Sequence, residues 1–165
     1  MPCRAMLLNL LVLVLTTIAM EGVAWFAHKH VMHGIIGWRW HASHHRPRQG
    51  AVETNDLYAV GSAAVAIMLI WFGTRGAWPL QWVGAGMTLY GLLYVVAHDG
   101  LVHRRWALPF SPRRGYLKRL VQAHRLHHAV DSRTGAVSFG FLYAPSPPEL
   151  KRQLQALRRQ SPSAD

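Results

Sequence analysis

Ten histidines carry the chemistry open to this sequence. "HASHH" at 41–45 and "HRLHH" at 124–128 place His41, His44 and His45, and His124, His127 and His128, at positions i, i+3 and i+4, which share one face of an α-helix. "HKHVMH" at 28–33 and "HDGLVH" at 98–103 add His28, His33, His98 and His103. Neutral imidazole ligates zinc, copper, iron or nickel. One centre uses three or four rings, so ten suit two metals held close together. The pairs spaced by five pose a problem, because five residues of ideal α-helix turn through about 500° and leave the rings about 140° apart. Either a helix end or bulge brings them round, or each ring serves a different metal. His30 breaks the symmetry between the first and third boxes and reads as a bystander. Zinc, which cannot change oxidation state, would mean hydrolysis or structure, whereas iron could activate oxygen; spacing does not choose between them. Cys3 is the only cysteine, which excludes thiolate ligation and a disulfide framework.

The elements that must position these rings are membrane helices. Uncharged runs cover Ala5 to Met20, Leu57 to Thr74 and Gly76 to Ala97, each near the roughly 20 residues that cross a hydrocarbon core. "AVSFGFLYA" at 136–144 is a fourth candidate, but it is too short for a helical span and fits a re-entrant or interfacial piece better. A cleaved signal peptide is the rival reading of the first run. If that run instead crosses once and the next two form a hairpin, all four boxes share one side. Arg4 and Arg75 then lie outside and the other basic residues inside, as the positive-inside bias requires. The expectation is an all-α integral membrane protein with three to four transmembrane helices and a cytosolic histidine-rich helical cap, one membrane-embedded domain over 1–165. Membrane orientation accounts for most of the formal charge of +11. No helix-turn-helix, RNP or zinc-finger pattern accompanies it, so nucleic acid is not an expected partner.

Carboxylates near the boxes, Asp99, Asp131, Asp56 and Glu53, are candidates to orient rings through their free N–H groups. For Asp56 the alternative is a cap on the second span. Glu21 lies near the end of an apolar span, where an ionisable group is normally functional or paired. The sequence has no GxGxxG, flavin or iron–sulfur motif, so electrons for redox chemistry would come from outside. "RRW" at 104–106 and "RRGYLKR" at 113–119 offer a basic surface for an acidic partner or for anionic lipid. In the tail, Ser146 as N-cap, Pro147 at the first helical position and Glu149 three residues after the cap predict a helix over 146–160. Its Leu150, Leu154 and Leu157 form one face, and Lys151, Arg152, Arg158 and Arg159 lie mostly elsewhere. This reads as a short basic amphipathic helix resting on the membrane.

The order H-x4-H, HxxHH, H-x4-H, HxxHH resembles the membrane-integral fatty acid hydroxylase and sterol desaturase superfamily. The connecting stretches "NDLYAV", "WPLQWVGAGMTLYGLLYVVAHDGLVH", "RRGYLKRLVQAHRLHHAV" and "VSFGFLYAP" are similar to its bacterial β-carotene 3-hydroxylase family, from about Met20 to Pro145. His30 stands where that family has an aromatic residue, usually Tyr. The resemblance implies a non-haem di-iron monooxygenase of the bacterial inner membrane, with the ten box histidines as iron ligands on the cytosolic side. It implies O₂ as co-substrate, a ferredoxin-type electron donor, and a carotenoid drawn from the bilayer and hydroxylated at carbon 3 of each β-ionone ring. β-Carotene would pass through β-cryptoxanthin to zeaxanthin, and ring-ketolated carotenoids are further candidate substrates. A fatty acyl or sterol hydroxylase or desaturase is the alternative enzyme. A metal transporter is a further alternative, but transporters usually place their ligands within the spans, whereas these histidines cluster at one end.

Overall fold

The computed structural model describes residues 2–48 and 50–160, and their regular structure is entirely helical. α1 (Pro2–Phe26) runs on into a π-helical turn, π1 (Ala27–Met32), and α2 (Trp38–His41) is a single turn. α3 (Asp56–Gly73) and α4 (Leu80–Tyr94) form the hairpin, and α4 continues into a second π-helical segment, π2 (Val95–Val102). α5 (Gly115–His127) and α6 (Pro147–Gln160) complete the chain.

Three stretches, Cys3–Met32, Asp56–Gly73 and Leu80–Val102, are long and apolar enough to cross a membrane. Large apolar side chains stand exposed along all three, among them Leu7, Leu11, Ile18, Ile67, Trp71 and Leu92. Apolar exposure on this scale fits lipid, not water. The first stretch has 30 residues and extends about 45 Å at 1.5 Å per residue, against a hydrocarbon core of about 30 Å. The stretch therefore exceeds the hydrocarbon core by about 15 Å.

α4 packs against both α1 and α3. Glycine allows the close approach: a Cβ on Gly84 would fall 2.7 Å from Ala66 O, and one on Gly86 would fall 2.7 Å from Leu13 O. Small residues at such crossings let membrane helices meet backbone to backbone. Thr17 Oγ1 sits at the α1–α4 contact, its proton shared between Leu13 O at 2.9 Å in its own helix and Gly86 O at 3.2 Å across the contact. Arg4 and Arg75 lie at one end of this bundle and the histidine boxes at the other.

The 136–144 segment is not a helical span, as its shortness implies; it is irregular chain with Ala136, Val137, Phe141 and Ala144 buried. One expectation changes. The apolar face of α6 does not lie on the membrane. Leu150 is fully buried, and with Leu154 and Leu157 it packs against Leu120, Ala123, Val137 and Ala144. Only the basic face, with Lys151, Arg152, Arg158 and Arg159, is exposed. Ser146 O accepts the first bond of α6, from Leu150 N at 3.0 Å. Glu149 does not close a capping box; it turns instead to Arg152 and Gln153.

Candidate metal centre

The π-helical turns resolve the five-residue spacing. An i→i+5 hydrogen bond stacks residue i+5 over residue i, and His33 N donates to His28 O at 3.0 Å while His103 N donates to His98 O at 2.9 Å. Each pair thus turns its rings to the same side and serves the same group. His28, His33, His41 and His127 bring one ring nitrogen each within 4.8 Å of one another, and so do His44, His98, His103 and His124. His45 joins the first group, its Nε2 3.2 Å from that of His41. His128 joins the second, 2.9 Å from His124 Nε2. The outcome is two pentads with an exchange between halves. Each takes the pair and the outer two triplet histidines of its own half, and borrows the middle histidine, His127 or His44, from the other half. His30 lies on the outer face against Trp25 and Phe26, away from both pentads.

The protonation pattern shows what the pentads can hold. Seven of the ten rings direct Nδ1 at an oxygen: Phe139 O for His28, Arg133 O for His33, Asn55 Oδ1 for His41, Glu53 for His44, Val130 O for His45, Asp99 for His98 and Val137 O for His127. A carbonyl or carboxylate oxygen only accepts, so Nδ1 carries the proton and Nε2 of the neutral ring keeps a bare lone pair. In the His33–His127 and His44–His98 pairs both partners are committed this way, yet their Nε2 atoms approach to 3.2 and 3.0 Å. Neither nitrogen can donate to the other. Two nitrogens bound at right angles to one metal at about 2.1 Å lie about 3.0 Å apart, so these spacings fit a shared cation.

Burial reinforces the neutral state. It is the largest cause lowering the pKa of every box histidine outside the spans, with neighbouring rings adding to it in most cases. His45 and His103 fall to about 4, His41 to about 3 and His128 to about 2. His33, His44, His124 and His127 are lowered as well. Desolvation disfavours imidazolium and leaves the neutral form that binds metal.

Among the four candidate carboxylates, Glu53 and Asp99 hold rings directly, at 2.9 and 2.7 Å. Asp56 accepts from Glu53 N at 3.0 Å and from Arg105 at 2.8 Å, so it pairs with the loop before α3 and with Arg105 and is bonded to no ring. Asp131 is exposed beside His45, where its charge partly offsets the effect of burial. Asn55 and the carbonyls of Val130, Arg133, Val137 and Phe139 were missed from sequence. Backbone acceptors have no sequence signature. Arg105, read as part of a docking surface, is instead tied to Glu53, Asp56 and Asp99, and Arg119 reaches back to Pro145 O. Glu21 finds its partners across 120 residues: the N–H groups of Phe141, Leu142 and Tyr143, together with the Tyr90 hydroxyl. It thereby anchors the segment whose carbonyls hold His28 and His127.

Aromatic rings pack against the centre. Phe141 stacks on His28 at 4.8 Å, Tyr94 on His98 at 4.5 Å, and Phe139 packs edge-on to His33. A cavity of about 540 Å³ reaches His33 past Trp25, Val137, Phe139 and Tyr143. A second, of about 730 Å³, opens onto His44, His45, His103 and His128 between Arg46, Arg48 and Arg125.

The fatty acid hydroxylase family model matches residues 13–144. A protein of Pseudescherichia vulneris named beta-carotene hydroxylase is 59% identical over 160 residues, covering 97% of this chain and 90% of that one. Its namesake from Pantoea ananas is 60% identical over 147 residues, 89% of this chain and 83% of its own. The chloroplastic beta-carotene 3-hydroxylase of Haematococcus lacustris is 41% identical over 145 residues, 83% of this chain and 44% of its own. No solved structure matches the chain. The match over most of the chain and the paired histidine groups at the end of three membrane-crossing helices agree: the protein belongs to the fatty acid hydroxylase family.

Proposed function

We propose that the protein is an O₂-dependent carotenoid hydroxylase, a monooxygenase that hydroxylates carbon 3 of β-ionone rings and converts β-carotene through β-cryptoxanthin to zeaxanthin. The observation that carries the chemistry is the pair of pentads, whose bare Nε2 lone pairs converge at cation-binding distances. The choice of substrate rests on the relatives' names.

In this reading His28, His33, His41, His45 and His127 hold one iron, and His44, His98, His103, His124 and His128 hold the other. Bound iron would supply the reductive activation of O₂, a step closed to zinc because zinc cannot change oxidation state. The overall balance is one ring C–H, O₂, two electrons and two protons giving C–OH and water. The protein's own part is to fix each ring through its Nδ1 partner and, with Phe139, Phe141 and Tyr94, to exclude water from the oxidising site. The electrons come from a reduced ferredoxin-type donor, for which the opening flanked by Arg46, Arg48 and Arg125 offers charge complementarity to an acidic face. The apolar substrate enters from the bilayer. The excess of Lys and Arg at the box end supports boxes that face the cytosol, and the bacterial relatives support placement in a bacterial inner membrane.

The test is expression in cells that accumulate β-carotene. Zeaxanthin and β-cryptoxanthin are the expected products. A metal-loaded, membrane-inserted protein that forms neither, but oxidises fatty acyl chains or sterols, overturns the carotenoid assignment.

A further inference from the structure

The two pentads are matched in sequence but not in electrostatics. His98 and His28 are equivalent by the repeat, yet His98 gives its Nδ1 proton to the Asp99 carboxylate at 2.7 Å and His28 gives its own to the Phe139 carbonyl at 2.9 Å. His44 and His127 are likewise equivalent, and they donate to the Glu53 carboxylate and the Val137 carbonyl. The residue after each of the paired first histidines reverses its charge, Asp99 in one half and Lys29 in the other. Every Nδ1 partner found in the first pentad, Phe139 O, Arg133 O, Asn55 Oδ1, Val130 O and Val137 O, is neutral. Asp131, beside His45, is exposed, and Glu21 bonds the N–H groups of Phe141 to Tyr143 and the Tyr90 hydroxyl; among the described residues neither carboxylate is hydrogen-bonded to a ring of this pentad.

Beside the second pentad, Arg105 gathers Glu53 at 3.3 Å, Asp56 at 2.8 Å and Asp99 at 3.5 Å. Arg46, Arg48 and Arg125 also line the opening to the second pentad, so what sets it apart is the contacts of its rings: two of them donate directly to carboxylates, whereas the partners found in the first pentad are amide oxygens. The chain builds this cluster on purpose-made backbone: Arg104 adopts φ 50° directly after His103, and Arg105 N then donates to Asp99 O at 2.9 Å. A left-handed conformation is uncommon for a residue other than glycine, and here it folds Arg105 back over the carboxylates.

We propose that the two pentads are unequal cation sites, with His44, His98, His103, His124 and His128 the tighter, made so by Glu53 and Asp99 and with Arg105 as the positioning residue. A carboxylate on Nδ1–H raises the basicity of the ring and stabilises added positive charge at Nε2, and removing such a partner typically weakens metal binding about 10- to 100-fold. The proposal rests on the two-metal reading above, and the experiment separates the two.

Full-length protein in detergent is stripped with a chelator and titrated anaerobically with ferrous iron against a competing chromophoric chelator. The wild type is expected to bind in two resolved steps. Asp99→Asn and Glu53→Gln should weaken the tighter step by about 10- to 100-fold and leave the weaker step unmoved. Asn55→Asp, which gives His41 a carboxylate of equal size, should tighten the weaker step and narrow the gap; it carries the test if the first two variants fail to fold. Two ions bound with one shared affinity, or equal weakening of both steps in Asp99→Asn, overturns the inequality. Folded wild-type protein that binds no iron overturns the two-metal reading itself.

Discussion

His33 and His127 lie 94 residues apart in sequence, yet they face each other Nε2 to Nε2 at 3.2 Å while each donates its Nδ1 proton to a backbone carbonyl, Arg133 O and Val137 O, at 2.9 Å. Two lone pairs aimed at each other repel. An arrangement repeated across two pentads has to be offset, and a shared cation does so. Removing the metal should therefore cost stability as well as activity. Each ion held at 100-fold over its dissociation constant stabilises the fold by about 2.7 kcal/mol. Chelated protein is expected to unfold at a lower temperature than the iron-loaded form, and iron should restore it. Unchanged thermal unfolding on chelation would count against a cation in either pentad.

Substitutions should divide the histidines by place, not by type. His44→Ala and His127→Ala each remove a ring that one half of the chain lends to the other's pentad, so product formation should fall to background while membrane insertion survives. His30→Ala changes only an exposed ring against Trp25 and Phe26 and should keep most of the activity. Product analysis beside a membrane-fraction immunoblot checks all three. Equal loss in the three variants would contradict the division.

The four boxes were legible in sequence because histidine identity and spacing mark a candidate cation site directly, and the three spans because hydropathy does. What stayed hidden was pairwise and long-range. The i→i+5 bonds at His28–His33 and His98–His103 depend on local backbone that spacing leaves open. The exchange of His44 and His127 depends on how the halves pack. The leucine stripe of α6 is visible in sequence, but amphipathicity does not say what covers it, and the cover proves to be Ala123, Val137 and Ala144.

Glu21 illustrates how a lone carboxylate near the end of an apolar span acquires a role. It accepts from three consecutive N–H groups, Phe141 to Tyr143, and from Tyr90 Oη. Hydrogen bonds to a charged group are worth roughly 1.5–3 kcal/mol, and a donor left unpaired costs a further 1–3. Glu21→Gln keeps one acceptor oxygen for those N–H groups but removes the charge that strengthens the bonds and sets an NH₂ in place of the oxygen that faces Tyr90 Oη; it should destabilise by more than Tyr90→Phe, which removes a single bond. Thermal unfolding ranks the two. Iron content should fall with Glu21→Gln as well, since the anchored segment supplies the carbonyls for His28 and His127; unaltered iron content would mean that the segment holds without its anchor.

The C-terminal helix supplies the remaining support, and the prediction it yields separates the packing seen here from a helix that merely rests on lipid. Leu150 is fully buried against the cluster that contains Val137, whose carbonyl orients His127. Leu150→Ala should cost about 2–5 kcal/mol, the range for emptying a packed apolar site. Part of that cost should reach the metal as lower iron occupancy in protein that still inserts. Arg159→Ala, on the exposed face of the same helix, should do neither. If Leu150→Ala instead released the protein from membranes or changed nothing, the leucine face would be serving the bilayer. A parallel fall in thermal stability and iron content places it under His127, where it steadies one wall of the centre from outside the spans.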